Sequence, residues 1–186
     1  CTTDAAADTL DHHQAIRSSG WSGRILPTFR PDAVVDVLHE DWRRNLDRLR
    51  AVSGIDIHDY ASFMEALAQR RAWFRSLGAT ASDHGYERTR FVPYQAQVAQ
   101  ALFERALQGT FDPRDFETFN SHVLMDLARM AIDDGMVMQL HVGSWRNHNA
   151  AVFSRFGRDK GADIPIPMEF TRDLHAFLEQ FGNSSL

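Results

Sequence analysis

The chain has a single cysteine, Cys1, among 186 residues. An internal disulfide is therefore excluded, and a reducing, cytoplasmic setting is the expectation. No apolar run approaches the roughly 20 residues that a membrane-spanning helix needs, and nothing resembles a signal peptide, so no membrane partner is expected. Positive charge is not in excess: 20 Lys and Arg stand against 25 Asp and Glu, a net charge of −5. That balance gives no electrostatic footprint for nucleic acid. No Gly-x-Gly-x-x-Gly run follows a strand, which disfavours a dinucleotide-binding fold. There is no Gly-x-Ser-x-Gly elbow, and Cys1 has no recognisable His partner, so hydrolysis by a Ser or Cys nucleophile is unsupported. His-x-His and His-Glu-x-x-His are both missing. His12 and His13 are adjacent on a helical stretch and diverge by roughly 100°, too far apart to chelate one ion. No metal site is expected within this segment. Repeats and low-complexity tracts are also lacking.

What is present is a hydrophobic fraction of 44% and a charged fraction of 24%, enough for one domain with a proper core. Three short apolar runs each stop on a polar, chemistry-capable side chain: Ile25–Arg30, Ala79–His84 and Met136–His141. Helical stretches separate them. A strand over Arg24–Phe29 is ended by Pro31. A helical stretch is expected from Asp8 to about Ser18, and another around Trp42, Leu46 and Leu49, interrupted by Gly54. Asp59 reads as the cap of the strongest helix, with Tyr60, Phe63, Met64, Leu67, Phe74 and Leu77 on one stripe and Gly78 as its left-handed stop. Residues 86–120 read as a helical insertion. It is followed by a helix carrying Phe116 to Met130 that Gly135 ends, and a last helix carries Leu174, Phe177, Leu178 and Phe181. Helix, Gly, short strand, polar end: the cycle predicts an α/β fold with parallel strands and crossover helices. The pattern alone does not separate a doubly wound sheet from part of a (β/α)8 barrel. The chain opens at Cys1, inside what reads as a strand end, and closes on loop residues 182–186, so an internal segment of a longer protein is the expectation.

In parallel α/β folds the carboxyl edge of the sheet carries the active site. Arg30 is suited there to a bidentate grip on a carboxylate or phosphate; the plainer alternative is a salt bridge to Asp32. Asp83 follows small residues that leave room for a ligand, and its carboxylate could act as a general base or an orienting partner; capping a turn is the alternative. His84 points to the other face and reads as a core histidine. His141 precedes Gly143-Ser144-Trp145-Arg146-Asn147-His148-Asn149, a stretch dense in hydrogen-bonding groups. His141, Arg146, Asn147 and Asn149 are the candidates for binding a polar, anionic ligand, against a plain loop in which Ser144 caps a helix.

Together, Cys1-Thr2-Thr3-Asp4, Leu10-Asp11-His12-His13, Phe29-Arg30-Pro31-Asp32, Ser82-Asp83-His84-Gly85, Gln139-Leu140-His141-Val142-Gly143 and Arg146-Asn147-His148-Asn149 resemble the uronate (glucuronate) isomerase family of the amidohydrolase superfamily. The resemblance implies part of a distorted (β/α)8 TIM-type barrel, residues 1–186 being the central portion of a single barrel domain. It implies interconversion of D-glucuronate with D-fructuronate, and of D-galacturonate with D-tagaturonate. Arg30 matches the family's functional Arg in its Trp-Arg-Pro-Asp motif and Asp83 the Asp of its Ser-Asp-His motif, the two catalytic candidates. His141 and Arg146 match residues that line the same pocket. The family's metal ligands, a His-x-His on the first strand and an Asp on the last, are absent, as is its catalytic Tyr. A divalent metal such as zinc would thus take its ligands from outside this segment, and the segment alone is expected to be inactive. The partner implied is a small-molecule sugar acid; a homo-oligomer is compatible with it. Asp4-Ala5-Ala6-Ala7-Asp8 stands where the family has Asp-Asp-Pro. Two other classes remain open at this point: a non-catalytic sugar-acid binding module, and an amidohydrolase-type hydrolase of another substrate.

Overall fold

A computed structural model describes residues 1–184; of the loop expected at 182–186, Ser185 and Leu186 lie outside it. Four strands, β1 (Thr2–Ala5), β2 (Pro27–Arg30), β3 (Ala81–Tyr86) and β4 (Val137–Val142), pair in sequence order, all parallel. Helix α1 (Asp11–Ser18) joins β1 to β2. Helices α2 (Asp32–Val35), α3 (Trp42–Ser53) and α4 (Tyr60–Ser76) join β2 to β3, and α5 (Ala96–Gln108) and α6 (Phe116–Asp134) join β3 to β4. After β4, two short antiparallel strands, β5 (Ser144–Trp145) and β6 (Ile164–Pro165), bracket α7 (Ala150–Phe156); α8 (Phe170–Asp173) and α9 (His175–Phe181) close the described chain. The α/β class with parallel strands is as expected. Among the described residues the sheet is open and four-stranded, so a closed barrel is not seen here. No helix among them is long and apolar enough to cross a membrane.

The strongest helical pattern is realised as α4, with a capping box at its start: Asp59 Oδ1 accepts from the Ser62 N–H at 2.8 Å and the Ser62 hydroxyl faces the Asp59 N–H at 3.1 Å. Two backbone N–H groups at this helix start, of Asp59 and Ser62, are thereby satisfied. Gly78 stops it with φ +96°, a backbone that favours glycine. The helix buries Phe63, Leu67 and Phe74. Phe74 meets Phe29 of β2 edge-on at 5.2 Å, and Phe63 stacks on Phe103 of α5 at 4.8 Å. One face of the sheet is thus sealed by helices.

Three boundaries differ from the sequence reading. Strand β2 begins at Pro27 rather than Arg24, because proline fits the first residue of a strand, where no N–H is needed. Strand β3 runs past Asp83 to Tyr86 and β4 past His141 to Val142, so Asp83 lies within its strand, not at its end. Helix α1 begins at Asp11 because Asp8 accepts from the Leu10 N–H at 2.7 Å and Leu10 adopts φ 60°. Arg70, buried on α4, donates to the Ala6 and Asp8 carbonyls at 3.1 and 2.6 Å and fastens this turn. The boundary expected at residue 120 falls inside α6, which runs on to Asp134.

Beneath the sheet, Arg71 of α4 is fully buried and donates to both oxygens of Asp134 at the end of α6, at 2.7 and 2.9 Å, with its guanidinium over Phe29. Removing one member strands the other charge. Arg71→Ala should cost about 3–5 kcal/mol, read as a lowered urea midpoint, with Arg71→Met less harmful because it keeps the packing. A shift below about 1 kcal/mol would reduce the pair to a surface-grade contact.

His84 is also buried on this face, with Nε2 3.0 Å from the Ser82 hydroxyl. Burial pushes its pKa down to about 3, and the Arg71 and Arg30 charges add to that. The unfolded chain binds this proton near pH 6.5, which the folded chain refuses until about 3. Stability should therefore fall as pH drops through that window, by up to about 1.4 kcal/mol per pH unit. Urea midpoints measured from pH 7 to 4 should show a shallower slope in His84→Asn; equal slopes would remove His84 as the cause.

Candidate active site

Side chains alternate along a strand and parallel partners share a face. Thr28 and Arg30 of β2, Asp83 and Gly85 of β3, and Gln139 and His141 of β4 therefore face away from the helices; β3 pairs Asp83 with Gln139 and Gly85 with His141. On that face Asp83 is the junction. Its Oδ2 lies 3.4 Å from Nη1 of Arg30 and its Oδ1 3.5 Å from Nδ1 of His141. The three residues read from separate apolar runs come together here.

Arg30 is held from behind by Asp32. The carboxylate Oδ2 of Asp32 accepts from Nε of Arg30 at 2.7 Å and from the Gly85 N–H at 3.0 Å. Burial pushes the Asp32 carboxyl above its ordinary range, against the bond and charge of Arg30 and the Gly85 N–H, which pull it down. For Arg30 burial is the largest single influence and lowers its pKa, but the bond and charge of Asp32, with the charge of Asp83, leave it raised. The salt bridge weighed from sequence and the Arg30–Asp83 contact are thus both present. The β1–α1 turn is joined to the same strand end, the Ala6 N–H donating to the Arg30 carbonyl at 2.8 Å.

A cavity of about 760 Å³ opens at this end of the strands. Arg30, Asp32 and Gly85 line one side, Arg146, Asn147 and Asp159 another, and His39 also borders it. Arg146 lies 3.7 and 3.8 Å from Asp159 and Asp163, both longer than a hydrogen bond. Asn147 sits at φ 57°, its backbone N–H on Asp163 and its side-chain oxygen accepting from the Asp159 N–H. Asn149 is placed differently. Its side-chain oxygen accepts from the Ala151 and Val152 N–H groups as the cap of α7, and Ser144, weighed as a cap, lies in β5.

Sequence reasoning missed three residues. Asp32 was weighed only as a salt-bridge partner, although the Arg-Pro-Asp spacing is what returns a carboxylate to Nε. Gly85 was quoted without a role, and nothing in the sequence singled out His39. Among the described residues no three of His, Cys, Asp and Glu converge to hold a metal. Asp83 faces Arg30 and His141 instead, so these residues do not by themselves fit a metal centre.

A family model described as glucuronate isomerase matches residues 1–185. The chain is 48% identical over 184 residues to a uronate isomerase of Nostoc punctiforme, covering 99% of this chain and 39% of that protein. It is 45% identical to a uronate isomerase of Phenylobacterium zucineum, covering 98% and 38%. The solved structure of glucuronate isomerase from Caulobacter crescentus superposes with TM-score 0.93 at 41% identity, over 98% of this chain and 38% of that one. The uronate isomerase of Thermotoga maritima gives 0.92 at 28% identity, over 99% and 41%. The chain thus spans about two fifths of the length of these relatives. With a family model matched from end to end of the described fold, and the same backbone in solved structures, the chain belongs to the glucuronate isomerase family.

Proposed function

We propose that this chain supplies the central portion of a distorted (β/α)8 barrel whose reaction is aldose–ketose isomerisation of uronates, D-glucuronate with D-fructuronate and D-galacturonate with D-tagaturonate. The observation that carries the reading is the meeting of Arg30, Asp83 and His141 on one sheet face, with Arg30 and Arg146 both lining the adjoining cavity. Its likeness to a uronate isomerase of Nostoc punctiforme and a glucuronate isomerase of Caulobacter crescentus supports it.

The reaction moves a proton between C1 and C2, most simply through a cis-enediol, and needs a proton carrier, a polarised carbonyl and a grip on the C6 carboxylate. Arg146 suits the grip, since its guanidinium makes only loose contacts and keeps donors free for a carboxylate. Arg30 suits a carbonyl or hydroxyl oxygen, with one edge already committed to Asp32. Asp83, flanked at 3.4 and 3.5 Å and bonded tightly by neither neighbour, suits accepting a hydroxyl or a proton. His141, half exposed, suits a hydroxyl, and Asn147 adds its polar surface at the cavity wall. Any divalent metal takes its donors from beyond these residues, and no step is routed through it. The setting we infer is cytoplasmic, and the partner is a sugar acid, with homo-oligomerisation compatible.

The test is turnover by the protein at full length. With D-glucuronate it should form the ketose, and Arg30→Ala or Asp83→Ala should each lower kcat/KM by at least about 10²-fold, the scale of a lost positioning or proton-transfer group. Hydrolysis of an amide or ester with no ketose formed would overturn the reading. Near-normal kinetics in both variants would reduce the pair to structural residues.

A further inference from the structure

We propose that Asp32 and Gly85 act together as the positioning device for Arg30, fixing the plane of its guanidinium so that Nη1 meets Asp83 while the remaining edge faces the cavity; the consequence for turnover rests on the isomerase reading above.

The geometry joins two strands through one oxygen. Oδ2 of Asp32 accepts Nε of Arg30 and the N–H of Gly85, at 2.7 and 3.0 Å. The guanidinium is therefore referenced to the backbone of β3, not only to its own strand. Gly85 supplies the surface on which it lies. A Cβ there would overlap Nη2 of Arg30 and come within 3.3 Å of Asp32 Oδ2. Glycine at this position in mid-strand is otherwise a cost, and its φ is not one that demands glycine, so the close approach of the side chain accounts for it. Nothing on the other side restrains Arg30 as tightly: Asp83 is at 3.4 Å. Without Asp32 a flexible guanidinium has several rotamers open to it, and without the bare backbone at Gly85 it cannot reach this one.

Two variants separate the parts. Asp32→Ala removes the acceptor. Gly85→Ala keeps Asp32 but displaces the far end of a flexible side chain, a shift the fold should tolerate. In the protein at full length each should lower kcat/KM for D-glucuronate about 10–100-fold. In an Arg30→Ala background the same changes should each cost less than about threefold, because their effect runs through Arg30. An independent readout needs no turnover. The Arg30 Nε–H resonance, assigned by its loss in Arg30→Ala, should be protected from solvent exchange in the parent protein and exchange rapidly in Asp32→Ala. Equal losses with and without Arg30, or an Nε–H equally protected without Asp32, would overturn the proposal. If the parent protein does not isomerise uronates, the functional reading falls, while the Nε–H measurement still decides whether Asp32 holds Arg30. If Asp32→Ala fails to fold, Gly85→Ala carries the test: parent-like kinetics there would overturn the proposal.

Discussion

The parallel register of β2, β3 and β4 is the constraint on which the site depends. Asp83 and His84 are neighbours on β3 with opposite duties. Asp83 faces Arg30 and His141, whereas His84 is packed among helices as a neutral imidazole. A slip of one residue would exchange the two faces, setting a carboxylate among the helices away from Arg30 and turning out an imidazole that has only Ser82 as partner. The helix face resists that slip. Phe29 sits against Phe74 and beneath Arg71, which is locked to Asp134. The polar face is therefore aimed from behind, by an apolar and ionic layer that never touches the cavity.

Much of this was legible in the sequence because it is periodic or punctuated. The stripe from Tyr60 to Phe74, with Asp59 before it and Gly78 after it, declares both α4 and its ends. The strand centres around Phe29, Ser82 and Met138 were equally plain, and the motifs around Arg30, Asp83 and His141 carried the family. What stayed hidden depends on pairing. Nothing local to Gly85 says that a guanidinium from β2 lies over it, and nothing local to Asp32 says that its oxygen reaches a backbone N–H of β3. Strands β5 and β6 are two residues each, too short to show alternation. Asn149 did carry a readable signal, an Asn directly before a helix-forming run, but the density of polar neighbours drew the reading toward a ligand.

Charge around the cavity gives the fixed guanidinium its meaning. The lining carries three guanidiniums, of Arg30, Arg146 and Arg158, against four carboxylates, of Asp32, Asp36, Glu87 and Asp159. Among the described residues this wall carries no excess of positive charge. What these residues offer an anion is directed, short-range hydrogen bonds, in which a forked donor meets a planar acceptor at one angle only. That places a premium on rigidity over charge. A carboxylate such as Asp32 beside Arg30 would weaken a site that worked by attraction alone, since it cancels the cation that attracts. It strengthens a site that works by orientation, because the energy lost in compensation is returned as a single, pre-set direction for the donors that remain. Arg30, compensated on both sides and bonded on one edge to Asp32, and Arg146, held only loosely by its acidic neighbours, thus differ: the first is tied to its neighbours, and the second keeps its donors free.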